Sequence, residues 1–301
     1  LQKLSGKRLD NLHRPHVDDV TIKCTCSNIM RRVPDVLDVW LDSGAAPWAT
    51  LEINKLEQVD FILEGKDQIR GWFNSLICLS MVAFEKPSYK AVYMHGMIMD
   101  SQGRKMSKSL KNVISPYEVI DLYGADTMRC YMIGGAKPGL DLNYNFEDMK
   151  VKLRNLGVLW NLHKFLIEYA ELNEFGAGTV GEFQVEEKYI LSYLHKTVGE
   201  VTHLFDSYRL NEIPEILEKL YLELSRVYIQ FVREKSTIGT TEEKKAVFCT
   251  MYGVFMGLLR MLAPIIPFTT EKIYLNLKEH FNLKEESVHL LSWVEYDESL
   301  V

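Results

Sequence analysis

Gly103-Arg104-Lys105-Met106-Ser107-Lys108-Ser109-Leu110-Lys111-Asn112 is a glycine-led stretch that sets two lysines three apart with hydroxyls beside them. Each ammonium is a compact point charge on a long stem, able to follow phosphate oxygens as a phosphorus centre becomes pentavalent. The stretch suits a polyphosphate that gains charge during reaction; the bland alternative is a solvated Lys/Ser surface loop. Glu64, Asp67, Gln68 and Trp72 form a second group, where a buried-strand pattern (60–65) meets an apolar helix pattern running from Gln68 to about Phe84. Asp67 is the expected N-cap of that helix. Carboxylates there serve either as caps or to hold the ammonium of an amino acid, with Trp72 walling an apolar side-chain pocket. A third candidate is His95-Gly96-Met97, inside a strand expected over 90–100. The glycine permits close approach by a flat ring such as adenine, and His95 faces the nucleotide or is an ordinary core residue.

The elements that must position these groups follow from periodicity. Val20-Thr21-Ile22 predicts a short strand ending at Cys24-Thr25-Cys26, and Asp35 to Gly44 alternates apolar and acidic residues like a strand running into a turn. His13-Arg14-Pro15-His16 predicts an extended surface segment, because the proline opposes a helix placing both histidines on one face. Structural zinc takes four ligands and usually C-x-x-C pairs, so Cys24 and Cys26 read as ordinary cysteines unless residues outside this chain complete a site. The lysines follow a buried strand, on a mobile loop where ligands of an α/β sheet bind. Ser115-Pro116 starts a short helix stopped by Gly124, and a further helix is expected over 125–132. From Asn145 onward, 3.6-residue patterns over 147–172, 185–207, 210–235 and 241–280 predict a helical bundle, with turns at 176–178 and 236–239. Domains are therefore expected at 1–144 (α/β) and 145–301 (all-α). Lys150, Lys152, Arg154 and Lys164 line the first long helix, to meet a phosphate backbone or simply to form a solvated face.

Composition narrows the classes. The chain has 301 residues, 47% hydrophobic and 25% charged, with a net charge of −6. That balance argues against coating nucleic acid by bulk charge, so any tRNA partner rests on motifs. No apolar run reaches the ~18 residues of a membrane span. Five cysteines, mostly within apolar runs, fit a reducing compartment, and the expected location is cytoplasmic. The chain opens with Leu1, so a fragment of something larger is expected.

Taken in order, the motifs resemble one family. Lys105-Met106-Ser107-Lys108-Ser109 is similar to the KMSKS signature of class I aminoacyl-tRNA synthetases. Asp35 to Gly44 resembles the D-V-L-D-V-W-F-D-S-G string of isoleucyl and valyl enzymes, with Leu41 in place of Phe. Glu64 to Phe73 resembles the E-G-x-D-Q-x-R-G-W-F of isoleucyl-tRNA synthetases, whereas valyl enzymes have T-G-x-D-I there. Tyr123-Gly124-Ala125-Asp126 and Leu262 to Phe268 (L-A-P-x-x-P-F) resemble the family's strings after the lysine loop and in its anticodon-binding helices. The resemblance implies the second half of a Rossmann-like catalytic domain followed by an α-helical anticodon-binding domain, working as a monomer in the full-length protein. It implies activation of isoleucine by ATP with Mg²⁺, then transfer to tRNA(Ile). Lys108 would stabilise the α-phosphate transition state with Lys105 assisting, and Ser107, His95, Gly96 and Met97 would border ATP. Glu64, Asp67, Gln68 and Trp72 would contact the aminoacyl-adenylate; no residue is assigned to a metal.

The chain departs from the family in lacking H-I-G-H, and the editing domain is expected upstream. The isolated chain is therefore expected to be inactive. Two alternatives stay open: a tRNA-binding module that has lost catalysis, and a valine-specific enzyme, since one methylene discriminates by only ~1–3 kcal/mol.

Overall fold

The computed structural model describes residues 2–35, 38–49 and 56–301. A mixed α/β region that includes parallel strands precedes a largely helical one. The chain divides into two compact units: Leu1–Ile62 with Asp67–Ala91, and Leu63–Lys66 with Val92–Val301.

In the first unit, a single helical turn α1 (Gln2–Ser5) precedes an antiparallel hairpin of β1 (Thr21–Lys23) and β2 (Ile29–Arg31), in register at Ile22↔Met30. The segment around His13 to His16 is a run of turns rather than extended chain. Asp18 N–H reaches Pro15 O at 3.0 Å and the Asp18 carboxylate pairs with Arg14 Nε at 3.0 Å, drawing the chain back on itself. Within the string from Asp35 to Gly44, Val36 and Leu37 lie outside the described residues. The rest corrects the strand expectation: Trp40–Gly44 is helical (α2), followed by α3 (Ala46–Ala49). The Asp38 carboxylate accepts from Trp40 N–H at 3.0 Å and starts the turn. Helix α2 packs on α4 (Trp72–Phe84) so closely that a Cβ at Gly44 would lie 2.6 Å from Leu79 Cδ1.

Helix α4 was expected from Gln68 under an Asp67 cap, but Lys66–Arg70 forms a 3₁₀ turn and Gly71 is the N-cap residue. The capping oxygen belongs to Gln68, whose Oε1 accepts from Trp72 N–H at 3.0 Å. Helix α4 buries Phe73, Leu76 and Ser80 along one side, while Val82 on the other is 86% exposed. Two strands, β3 (Val59–Gly65) and β4 (Tyr89–His95), are sheet neighbours, and in β3 only Ile62 and Gly65 are buried.

In the second unit, the strand expected over 90–100 is interrupted: β4 stops at His95 and β5 (Ile98–Met99) begins after Gly96-Met97. Beyond α5 (Pro116–Tyr123) and α6 (Ala125–Gly134), β6 (Leu142–Asn143) pairs parallel with β5. The bundle then comprises α7 (Phe146–Asn173), α8 (Val185–Asp206), α9 (Ile213–Glu223), α10 (Ile229–Phe231), α11 (Arg233–Ile238), α12 (Thr241–Leu262) and α13 (Pro267–Phe281). The pattern over 210–235 is broken by a 3₁₀ turn at Leu210–Glu212 and a π-turn at Leu224–Tyr228, and α11 runs through the turn expected at 236–239 to stop at Gly239. The pattern over 241–280 divides at Pro264 to Pro267. Tyr221, Tyr228, Phe248, Phe255 and Tyr274 centre the core of the bundle. By length and composition α12 would cross a membrane, but 72% of its apolar window is buried among the other helices.

Candidate functional site

The lysine loop begins where β5 ends, at Asp100. This residue is only 6% exposed, and each of its carboxylate oxygens accepts twice. Oδ1 takes Gln102 N–H (3.0 Å) and Arg104 N–H (2.9 Å), while Oδ2 takes Arg104 Nε (2.8 Å) and Asn112 Nδ2 (2.9 Å). The Asn112 amide foremost, then the Arg104 N–H, holds the Asp100 carboxyl well below the usual carboxylate range. Gly103 supplies the φ of 74° that the Ser101-Gln102-Gly103 turn requires. Met106 packs on a small core of Val119, Tyr131, Tyr144 and Met149. Asn112 Oδ1 accepts from Ser107 N–H at 2.9 Å, and Ser107 Oγ accepts from Leu110 N–H at 3.3 Å. The loop is therefore a ring of chain closed by side-chain hydrogen bonds. Lys105 and Lys108 are exposed upon it with no ion-pair partner among the described residues.

His95, Gly96 and Met97 occupy the break between β4 and β5. Across from them, Leu142 N–H bonds Met97 O at 2.9 Å and Tyr144 N–H bonds Met99 O at 3.0 Å. A Cβ on Gly96 would collide with the Leu140 carbonyl. The close approach this glycine permits in the structure is by the chain's own backbone at Leu140 and Asp141. Asp141 Oδ1 accepts from Met97 N–H at 2.7 Å and pairs with Lys66 Nζ at 2.6 Å. The Lys66 hydrogen bond first, then that of Met97, lowers the Asp141 carboxyl pKa. His95, Met97, Tyr93, Met132, Leu140 and Leu142 help line an apolar cavity of about 490 Å³.

Glu64 lies exposed near the end of β3, with no partner for its carboxylate among the described residues. In the first unit, Gln68 Nε2 donates to Asp67 Oδ2 at 2.9 Å while its oxygen caps α4. The Trp72 indole N–H donates to Ser43 O at 3.0 Å, which fixes the ring against the end of the Asp-Ser-Gly string.

Sequence reasoning missed Asp100, Asn112 and the Lys66–Asp141 pair. A carboxylate between a strand end and a glycine turn, and an asparagine closing a polar loop, are the signals that were available. On α7, Lys152 pairs with Glu218 at 2.9 Å and Lys150 with Glu147 at 2.7 Å, leaving Arg154 and Lys164 as its exposed cations without an ion-pair partner among the described residues. Among the described residues no cluster of three His, Cys, Asp or Glu side chains could hold a metal ion.

Residues 3–145 match the family described as tRNA synthetases class I (I, L, M and V), and residues 187–301 match the anticodon-binding domain of tRNA ligase. The isoleucine–tRNA ligase of Methanothrix thermoacetophila is 40% identical over 100% of this chain and 30% of its own length. That of Methanopyrus kandleri is 40% identical over 97% of this chain and likewise 30% of its own length. The chain thus spans about 30% of the length of these curated relatives. Among solved structures, the LeuRS of Agrobacterium radiobacter K84, in ternary complex with tRNA and LeuAMS, superposes with a TM-score of 0.71 at 20% identity, covering 93% of this chain and 35% of that one. The methionyl-tRNA synthetase of Mycobacterium tuberculosis, bound to methionyl-adenylate, gives 0.60 at 21% identity over 71% of this chain and 43% of its own. The chain shares its fold with those solved enzymes, and the two sequence matches, in that order along it, place it in the class I aminoacyl-tRNA synthetase family of the I, L, M and V type, with an anticodon-binding domain following the catalytic region.

Proposed function

We propose that this chain is part of an isoleucine–tRNA ligase, residues 1–144 forming the second half of the catalytic domain and residues 145–301 the helical domain that reads tRNA(Ile). The lysine loop carries this reading: two exposed ammoniums, without an ion-pair partner among the described residues, displayed on a loop closed by the Asn112 side chain. A carboxylate oxygen of isoleucine attacks the α-phosphorus of ATP, the bond to the β-phosphate bridge breaks, and pyrophosphate leaves. A terminal ribose hydroxyl of tRNA then attacks the acyl carbon and releases AMP. Lys108 meets the charge that develops at phosphorus with Lys105 assisting, Ser107 borders the ATP, and the fixed positive charge of the two lysines is the main catalytic contribution of the loop. Glu64, Asp67 and Gln68 hold the aminoacyl-adenylate, Trp72 walls the isoleucine side chain, and His95, Gly96 and Met97 border the adenosine. Mg²⁺ enters with the phosphates of ATP rather than at a protein cluster. Isoleucine is favoured by the Glu64 to Phe73 string and by relatives named for that amino acid. The enzyme acts as a monomer in the cytoplasm.

The test is isoleucine-dependent ATP–pyrophosphate exchange, measured on this chain alone and after supplying the remaining, H-x-G-H-containing part of the synthetase. Exchange should appear only on addition, and Lys108→Ala should lower it by about 10²–10³-fold. Exchange driven by valine in preference to isoleucine overturns the specificity. None with either amino acid, from a demonstrably folded mixture, overturns the enzyme in favour of a tRNA-binding module.

A further inference from the structure

Asn112 closes the lysine loop with one side chain. Its Oδ1 accepts from Ser107 N–H (2.9 Å), and its Nδ2 donates both to Asp100 Oδ2 (2.9 Å) and to Lys105 O (3.3 Å). Both lysines therefore lie in a ring of chain whose start and end are joined through this amide. Asp100 supports it from a nearly buried position, its second oxygen occupied by two backbone N–H groups that shape the preceding turn. Lys111, immediately before Asn112, sits at a φ of 51°, a left-handed conformation that a non-glycine residue keeps only where its surroundings hold it. Elsewhere the loop is held by a bridge between Met99 and Lys105 and by Met106 in its small core, both near its beginning. Between Ser107 and Asn112, the Asn112 side chain is, among the described residues, the tie that reaches back to the end of β5.

We propose that Asn112, oriented by Asp100, is a positioning residue that sets the conformation in which Lys105 and Lys108 are presented to the phosphates. The role in reaction rests on the ATP reading above; the loop closure does not. An asparagine is required at 112 because the bridge needs a donor toward Asp100 and an acceptor for Ser107 N–H on one short side chain. Aspartate keeps the acceptor and places a second carboxylate against Asp100. Exchanging the two residue types restores one donor to the pair.

The experiment compares the wild type, Asn112→Asp, and the double variant Asp100→Asn with Asn112→Asp. Trypsin cleavage after Lys105 and Lys108 in the full chain, followed by mass spectrometry, reads loop opening without any nucleotide. Asn112→Asp should speed cleavage at both lysines about tenfold. The double variant should recover most of that increase, with cleavage outside the loop unchanged in both. In the complemented synthetase, Asn112→Asp should lower kcat for pyrophosphate exchange with the KM for isoleucine unchanged, and the double variant should restore it in part. Equal cleavage of wild type and Asn112→Asp, or additive damage in the double variant, overturns the closure. An opened loop with undiminished exchange overturns the positioning role. Absence of exchange from the complemented wild type counts against the ATP reading alone, and the cleavage results then decide the closure by themselves.

Discussion

Asp100 makes the site dependent on acid in a definite direction. Its carboxyl is held well below the usual range, so the stabilisation it gives the loop is fully present above the ordinary carboxylate pKa of ~4 and is lost as pH falls toward its own lower value. The backbone amides of Gln102 and Arg104, both bonded to that carboxylate, should keep their NMR positions from neutral pH to about 4 and move together below it. Independent titration of the two signals would contradict a shared acceptor. The exposed loop placement of Lys105 and Lys108 was legible because the full string from Lys105 to Ser109 resembles a family signature; two lysines three apart would by themselves have read as a solvated surface loop. Asp100 and Asn112 were not legible. Each is an ordinary polar residue, and their relation spans twelve positions that become neighbours only when the loop folds. The expectation for Asp67 failed for a related reason: both Asp67 and Gln68 are capable of capping, and the 3₁₀ turn brings the Gln68 oxygen, not the Asp67 carboxylate, to the Trp72 N–H.

At the scale of elements, the break between β4 and β5 depends on one missing methyl group. The backbone of Leu140 and Asp141 occupies the space where a Gly96 side chain would begin, and the parallel pair β5–β6 continues from that contact. Gly96→Ala should therefore destabilise the chain by about 1–3 kcal/mol in urea unfolding, the usual range for forcing an atom into packed space. Gly157→Ala, in α7 where a Cβ meets nothing within 4 Å, serves as the control and should be neutral or slightly stabilising. Periodicity predicted α7 and α8 to within a residue or two because an amphipathic stripe is visible in the side chains. It did not predict the π-turn at Leu224–Tyr228, since one inserted residue shifts the stripe while leaving apolar residues at plausible spacings. The alternation from Asp35 to Gly44 misled for the opposite reason: acidic residues recurring along that string were read as one face of a strand. In the structure Asp38 starts a helical turn, and Trp40 and Leu41 remain partly exposed on it.

Within the larger unit, two motifs separated by more than a hundred residues are joined directly. Arg129 on α6 donates to the carbonyls of Ile265 (2.9 Å) and Pro264 (3.1 Å), and Asp126 accepts from Thr269 N–H at the start of α13. The proline pair that divides α12 from α13 leaves those carbonyls without helical partners, and the guanidinium satisfies them. Arg129→Ala should cost about 1–3 kcal/mol and raise amide exchange in the first turn of α13 ahead of the rest of the bundle. Uniform loss across all helices would instead indicate a general packing defect. The bundle as a class was plain from sequence, but this tie was not, because it runs from a side chain to backbone carbonyls that no pattern of residue types reveals. The closed ring of the lysine loop also determines how it can hold an anion. Its Ser107 and Leu110 amides are already engaged by Asn112 and by the Ser107 hydroxyl, so these two N–H groups are not open to an oxygen. Lys105 and Lys108 are two point charges in open water, and dissolved ions weaken their attraction once the Debye length shrinks from ~10 Å at 0.1 M to ~3 Å at 1 M. Ionic strength should therefore weaken the grip of these two lysines on an anion even where the ring that presents them stays closed.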